Sequence, residues 1–348
     1  MHGGGQMNLR ACALGVRTPR LDGDLRAFLA EARPWALILF REACETRAQV
    51  LALTNALRAA IGADVLIFID QEGGRVARMR PPDWPLWPAA AAYGAVHLDD
   101  SVLGLAAARL GYRLIAHELK QVGVNGDFAP VLDVPVSGAD PIIGDRALAR
   151  SPEAIAALGR AVLDGLNAGG VAGCVKHAPG HGRATADSHL RLPRVNDGLN
   201  ELGADLMPFR ALADAEMAMT AHIVFEAIDA EAPATHSAKV IRDVIRGEIG
   251  FDGLLASDDL DMKALEGPLR ARAEKSFAAG CDLVLQCSGA VADMAAVCEG
   301  VPMLAGKARA RAERVEAIAR KPAEPFDAAE GWWRFRALMG PGYGPPTR

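Results

Sequence analysis

The stretch "VLIFID", Val65 to Asp70, is five apolar residues closed by a carboxylate. A strand that is apolar at every position, rather than at alternate ones, is buried on both faces, as strands of a parallel sheet are. Seven other short runs have the same character: "CALGV" (12–16), "ALILF" (36–40), "DFAPVLDV" (127–134), "GCVKH" (173–177), "MAMTAH" (217–222), "LLASDD" (254–259) and "DLVLQC" (282–287). Between most of them lie stretches of helical periodicity. One carries Ile155, Leu158, Val162 and Leu166 behind Ser151-Pro152, an N-cap followed by a first-turn proline. Eight strands alternating with helices predict an α/β chain folded as a single (β/α)8 TIM-type barrel. An open doubly wound sheet is disfavoured, because no Gly-rich dinucleotide fingerprint follows an early strand.

No Ser/Gly/Pro linker divides the chain, so residues 1–348 are expected to form one barrel domain. Residues 1–10 are expected to be a flexible N-terminus, with Met7 a second candidate start. Residues 321–348 are expected to be a peripheral tail: the helix "KARARAERVEAIAR" (307–320) gives way to a Pro-rich end packed loosely outside the barrel. Hydrophobic residues at 51% against 23% charged allow a large core and exclude wholesale disorder. A net charge of -5 without a basic run argues against nucleic acid as a partner. "MHGGGQMNLRACALGV" lacks a signal-peptide apolar region and no apolar run reaches membrane-spanning length, which predicts a cytoplasmic protein with no membrane partner. Six scattered cysteines without CxxC spacing read as reduced, buried and structural.

In a barrel, reactive groups come from the C-terminal ends of strands and the loops that follow. The polar residues fall there: Asp70 closes "VLIFID", Lys176 and His177 close "GCVKH", His222 closes "MAMTAH", and Asp258 lies near the end of "LLASDD". Each alone reads equally well as a hydrogen-bonded barrel residue or a helix cap. Several converging on one rim each carry a burial cost that pairing or function must offset. After Asp70, Gly73-Gly74 permits a tight backbone path beside Arg75 and Arg78; taken alone the pair reads as a strand-to-helix turn. A carboxylate and arginines there suit a hydroxyl-rich or anionic ligand.

"KHAPGHGRATADSH", Lys176 to His189, then crowds three histidines into fourteen residues. Pro179, Gly180 and Gly182 stop the strand and leave a mobile excursion, its glycines read as the hinge, carrying His181, Arg183, Asp187 and His189. Asp187 stands two residues before His189, close enough to orient the imidazole as a general acid near neutrality requires.

These residues resemble the β-N-acetylhexosaminidases of glycoside hydrolase family 3 in their short, single-domain bacterial form. That family's loop runs Lys-His, a bulky residue, Pro-Gly, a variable residue, Gly, four variable residues, then Asp-Ser/Thr-His. Here it reads Lys176-His177-Ala178-Pro179-Gly180-His181-Gly182, four residues, Asp187-Ser188-His189. Ala178 departs from it, being smaller than the usual apolar residue. "VIRGEIGFDGLLASDDLDM" (244–262) is similar to the family's nucleophile signature, and "FIDQEGGRVAR", "GDFAPVLDV", "IGDRAL" and "AMTAHIVFEAID" are similar blocks, so the likeness covers roughly residues 30 to 290.

The resemblance implies a retaining hydrolase that releases terminal N-acetyl-β-D-glucosamine from cell-wall recycling fragments. It implies Asp258 as nucleophile and His189, held by Asp187, as acid and base, in place of the usual carboxylate pair about 5 Å apart. It implies Asp70, Arg78, Arg146, Lys176 and His177 as ligands of the sugar, with His222 carried over less directly. No cofactor, metal or obligate protein partner is implied; the partner is a small saccharide. Three alternatives stand beside this reading. A metal-dependent amidohydrolase barrel lacks its first-strand His-x-His here, and His177, His181 and His189 share one loop region instead of closing successive strands. A sugar-binding barrel that has lost its chemistry sits badly with intact Asp258, Asp187 and His189. Within the family, a β-glucosidase or a phosphorylase that uses phosphate in place of water remains open.

Overall fold

The computed structural model describes residues 8–345, and all eight expected strand runs contribute to one sheet. The barrel strands are β1 (Arg10–Val16), β2 (Pro34–Leu39), β3 (Leu66–Ile69), β4 (Gly126–Asp127), β5 in two pieces (Ala172–Gly173 and Val175–Ala178), β6 (Met217–Thr220), β7 (Leu254–Asp259) and β8 (Leu283–Gln286). Every neighbouring pair is parallel, with registers such as Ala36 against Leu66, Asp127 against Gly173, Ala218 against Leu255 and Cys12 against Val284. The first piece of β5 pairs with β4 and the second with β6, so the ring closes through β5. Strands β2, β3 and β6 are buried along their whole length, as the unbroken apolar runs require.

The "DFAPVLDV" run is less regular than expected, since only Gly126–Asp127 form ladder pairs. Pro130 has no N–H to donate, and its carbonyl instead accepts from Lys176 N at 3.1 Å while Leu132 N donates to Lys176 O at 2.7 Å. Pairing thus resumes past the proline, displaced, and carries Asp133 under β5. A second correction concerns Gly73-Gly74. The turn joins an antiparallel hairpin, Gln71–Gly73 with Val76–Ala77, rather than a strand to a helix. Gly73 takes φ +94°, and a Cβ there would come within 2.1 Å of the Pro88 carbonyl oxygen.

The helix behind Ser151 spans Pro152–Ala168, with Ser151 Oγ accepting from Ala154 N and Ile155, Leu158, Val162 and Leu166 fully buried. The helix after Gly306 spans Gly306–Arg320. The chain beyond it is not loose. Asp327 caps a further helix, Ala328–Met339, whose Trp332 ring lies 4.9 Å from that of Trp87 and whose Phe335 is completely buried. The proline-rich composition of the end hid this helix, because its apolar face is only Trp332, Phe335 and their neighbours. The N-terminal expectation falls mostly on residues 1–7, Met7 included, outside the described residues; Arg10 already belongs to β1. All six cysteines are buried free thiols. Among the described residues no helix is long and apolar enough to cross a membrane.

Candidate active site

The C-terminal ends of the strands open into a cavity of about 560 Å³. Asp70, Arg78, Arg146, Lys176 and His177 all line it, as do His189 and Asp258. Residues spread over nearly two hundred positions are therefore gathered at one rim by barrel closure.

The floor is an alternating chain of charges. Arg78 Nη2 donates to Asp70 Oδ2 at 2.8 Å, and Lys176 Nζ donates to Asp70 Oδ1 at 2.9 Å. Lys176 Nζ also reaches Glu72 Oε1 at 2.7 Å, and Arg146 closes on Glu72 with two bonds of 2.9 Å. Burial alone would raise both carboxyls. The neighbouring cations outweigh it: Lys176 and Arg78 hold Asp70 well below the usual range, and Arg146 and Lys176 hold Glu72 down at about 2. Burial would likewise strip the proton from Lys176, but Asp70 and Glu72 keep it charged. Three cations against two carboxylates leave the floor with one net positive charge and several donors facing the cavity.

His177 is fixed from behind by Asp133, which is completely buried. Asp133 Oδ2 lies 2.7 Å from His177 Nδ1, and Oδ1 accepts from the backbone N of His177 at 3.2 Å and of His181 at 2.6 Å. Burial pushes the Asp133 carboxyl up, and the two histidines more than reverse it. With Nδ1 taken, Nε2 is the ring nitrogen left for a ligand. The signal that could have found Glu72 and Asp133 lies in the quoted blocks: a carboxylate within a buried strand-end run must have a cationic or N–H partner.

Asp258 stands in β7 with Oδ1 accepting from Asp259 N at 2.8 Å. Burial would raise it, but His222, His177 and the Asp259 N–H keep it below the ordinary carboxylate value and thus ionised at neutral pH. The second oxygen remains available. His222 does not line the cavity. It is fully buried, with Nδ1 2.7 Å from Thr235 Oγ1 and Nε2 2.9 Å from the Asp259 carbonyl oxygen. Burial lowers its proton affinity while Asp258 pulls the other way, and Nε2–H donates to that carbonyl. It braces the backbone beside Asp258.

Beyond β5 the excursion runs without helix or strand to Pro193. Asp187 Oδ1 accepts from His189 Nδ1 and from His189 N, each at 2.8 Å. Burial would raise the Asp187 carboxyl, and the His189 amide and ring hold it lower. His189 is 60% exposed in its side chain, whereas its neighbour Ser188 is buried with Oγ 3.1 Å from His181 Nε2. Burial and the adjacent His177 lower His181 to about 4, leaving it neutral. Gly182 is an anchor, not the hinge its composition implied: a Cβ there would come within 1.8 Å of the Val134 carbonyl oxygen. Among the described residues no three His, Cys, Asp or Glu side chains are grouped to hold a metal ion.

Comparison with known proteins shows the family. The profile of the glycosyl hydrolase family 3 N-terminal domain matches residues 5–320. A β-hexosaminidase of Alkalilimnicola ehrlichii is 42% identical over 287 residues, covering 81% of this chain and 82% of its own. One of Methylococcus capsulatus is 43% identical over 275 residues, 78% of this chain and 80% of its own. Among solved structures, NagZ of Neisseria gonorrhoeae in complex with N-trifluoroacetyl-D-glucosamine superimposes with a TM-score of 0.82 at 32% identity, covering 96% of this chain and 97% of that one. The chain belongs to glycosyl hydrolase family 3, among its β-N-acetylhexosaminidases.

Proposed function

We propose that the chain is a retaining exo-β-N-acetylglucosaminidase, a single catalytic domain that removes N-acetylglucosamine from the non-reducing end of peptidoglycan fragments in the cytoplasm. The observation that carries the reading is an ionised Asp258 and an Asp187-bonded His189 on one cavity whose floor is rich in fixed donors. Six free buried thiols fit a reducing compartment.

The sugar lies over Asp70, Arg78, Arg146, Lys176 and His177, whose charges and N–H groups meet its hydroxyls and N-acetyl group. The free oxygen of Asp258 attacks C1 and forms a glycosyl-enzyme, while the bond from C1 to the leaving oxygen breaks and that oxygen takes a proton from His189 Nε2. Asp187, accepting Nδ1–H, makes Nε2 the working nitrogen. Water then attacks C1, His189 Nε2 takes its proton, and Asp258 is released. An imidazole this exposed must be carried over the bound sugar before transfer, and the tie from Ser188 to His181 is the point from which the His189 end of the loop swings.

The test is turnover of 4-nitrophenyl N-acetyl-β-D-glucosaminide beside the β-glucoside, with Asp258→Ala and His189→Ala. Turnover of the N-acetyl substrate alone, lost in the Asp258 variant, supports the assignment; equal turnover of both sugars, or an active Asp258→Ala, overturns it. The same reaction in phosphate buffer, followed by ³¹P NMR, separates hydrolysis from transfer to phosphate.

A further inference from the structure

The cavity carries more positive charge at its mouth than its own carboxylates neutralise. Four of its rim and floor arginines are paired: Arg17 with Glu42 at 3.1 Å, Arg75 with Asp145 at 2.9 Å, Arg78 with Asp70 at 2.8 Å, and Arg146 with Glu72 at 2.9 Å. Two are not. Arg41, the first residue of the turn that follows β2, is exposed, and its guanidinium has neither ion pair nor hydrogen bond among the described residues. Arg80 donates to the backbone carbonyls of Ala77, at 2.6 Å, and Arg75, and to no carboxylate. Both line the cavity. They are near enough to repel: beyond the effect of burial, Arg41 and Arg78 lower the proton affinity of Arg80.

Depth decides what meets them. Lys176, on the floor, is 2% exposed, whereas Arg41 stands at the rim. In an exo-acting glycosidase the terminal sugar takes the floor and the leaving group projects through the mouth. We propose that Arg41 and Arg80 form a carboxylate clamp on the leaving-group side, selecting substrates whose aglycone bears a carboxylate near the cleaved bond. The planar guanidinium fork suits a carboxylate, and two guanidiniums without a carboxylate partner lining one cavity gain from an anion placed between them. This inference rests on the glycosidase reading.

Two aryl N-acetyl-β-D-glucosaminides that differ only in a ring carboxylate or carboxamide supply the test, read as the ratio of their kcat/KM values. Comparing that ratio between proteins cancels the intrinsic difference in leaving-group reactivity. With each exposed pair contributing up to about 1 kcal/mol, Arg41→Gln and Arg80→Gln are each expected to lower the ratio about threefold and the double variant about tenfold. In the unaltered protein the ratio is expected to fall towards the double variant's value in 1 M salt. Arg41→Lys and Arg80→Lys, which keep the charge, are expected to retain part of it. A ratio that neither substitution nor salt changes overturns the clamp while leaving the glycosidase standing. No turnover of either substrate removes the glycosidase reading, and the clamp with it.

Discussion

Glu72 grips Arg146 through both carboxylate oxygens, at 2.9 Å each, although only Arg146 faces the cavity. Glu72 therefore works from behind, aiming Arg146 and Lys176 and neutralising part of their charge. Glu72→Gln keeps the shape and removes the charge, leaving three cations around Asp70 alone. Breaking a buried pair in this way costs about 3 kcal/mol. The expected outcome is a drop in thermal stability together with a raised KM and a kcat/KM at least tenfold lower for the N-acetylglucosaminide. Unchanged melting and kinetics would show that Asp70 suffices.

Asp187→Asn tests the dyad through its dependence on the leaving group. An oriented general acid contributes roughly 10²–10⁴-fold where the departing oxygen needs a proton, and little where it does not. The variant is expected to cleave 4-nitrophenyl glycosides with a small loss and alkyl glycosides or disaccharides with a loss of about a hundredfold. A plot of log kcat/KM against leaving-group pKa would steepen. Parallel plots for the two proteins would remove Asp187 from proton transfer.

The barrel was legible in the sequence because a parallel sheet writes its strands as solid apolar runs, and eight of them need no further context. The cavity-lining residues were legible for the same reason: Asp70, Lys176, His177 and Asp258 are polar residues where those runs end. What stayed hidden depends on distance in space. Glu72 and Asp133 look like ordinary strand-end acids until closure brings Lys176, Arg146 and His177 against them. Gly182 read as a hinge because a glycine required by close approach and one required by mobility look alike in a sequence. The helix Ala328–Met339 was lost among prolines on either side of it.

His222 marks the limit of strand-end reasoning, since it ends a strand yet serves the backbone next door. Through Nε2–H it holds the Asp259 carbonyl, and the Asp259 N–H holds Asp258 Oδ1. His222→Phe removes the shorter of the two bonds on that carbonyl, leaving Met262 N at 3.2 Å, so the carboxylate of Asp258 is expected to lose its aim. The expected signature is a kcat lowered tenfold or more with KM nearly unchanged, and partial recovery in His222→Gln, whose amide can still donate. A change confined to KM, or an equal loss in both variants, would contradict this role.

Stability should fall on both sides of an optimum, for opposite reasons. Asp70, Glu72 and Asp133 have folded-state values below their unfolded ones, so their contribution is full above about pH 4 and lost as pH falls further. Asp127 has the reverse sign. It is completely buried, Oδ1 accepts from Gln71 N at 2.9 Å, and Oδ2 has no partner among the described residues. Burial raises its carboxyl to about 8 against the pull of the Gln71 N–H and Lys176, so the native state holds a proton that the unfolded chain releases near pH 4. That contribution is whole below about pH 4 and drains away as pH rises towards 8. Asp127→Asn keeps the Gln71 bond and has no proton to lose. The variant is expected to match the parent at pH 5 and to melt higher at pH 8.5, by a margin corresponding to about 1 kcal/mol or more. Some alkaline slope will remain, because burial and Asp261 also raise Asp259 to about 8. Melting curves from pH 3 to 9 decide the matter: equal alkaline slopes in the two proteins would mean that Asp127 is already ionised in the folded barrel.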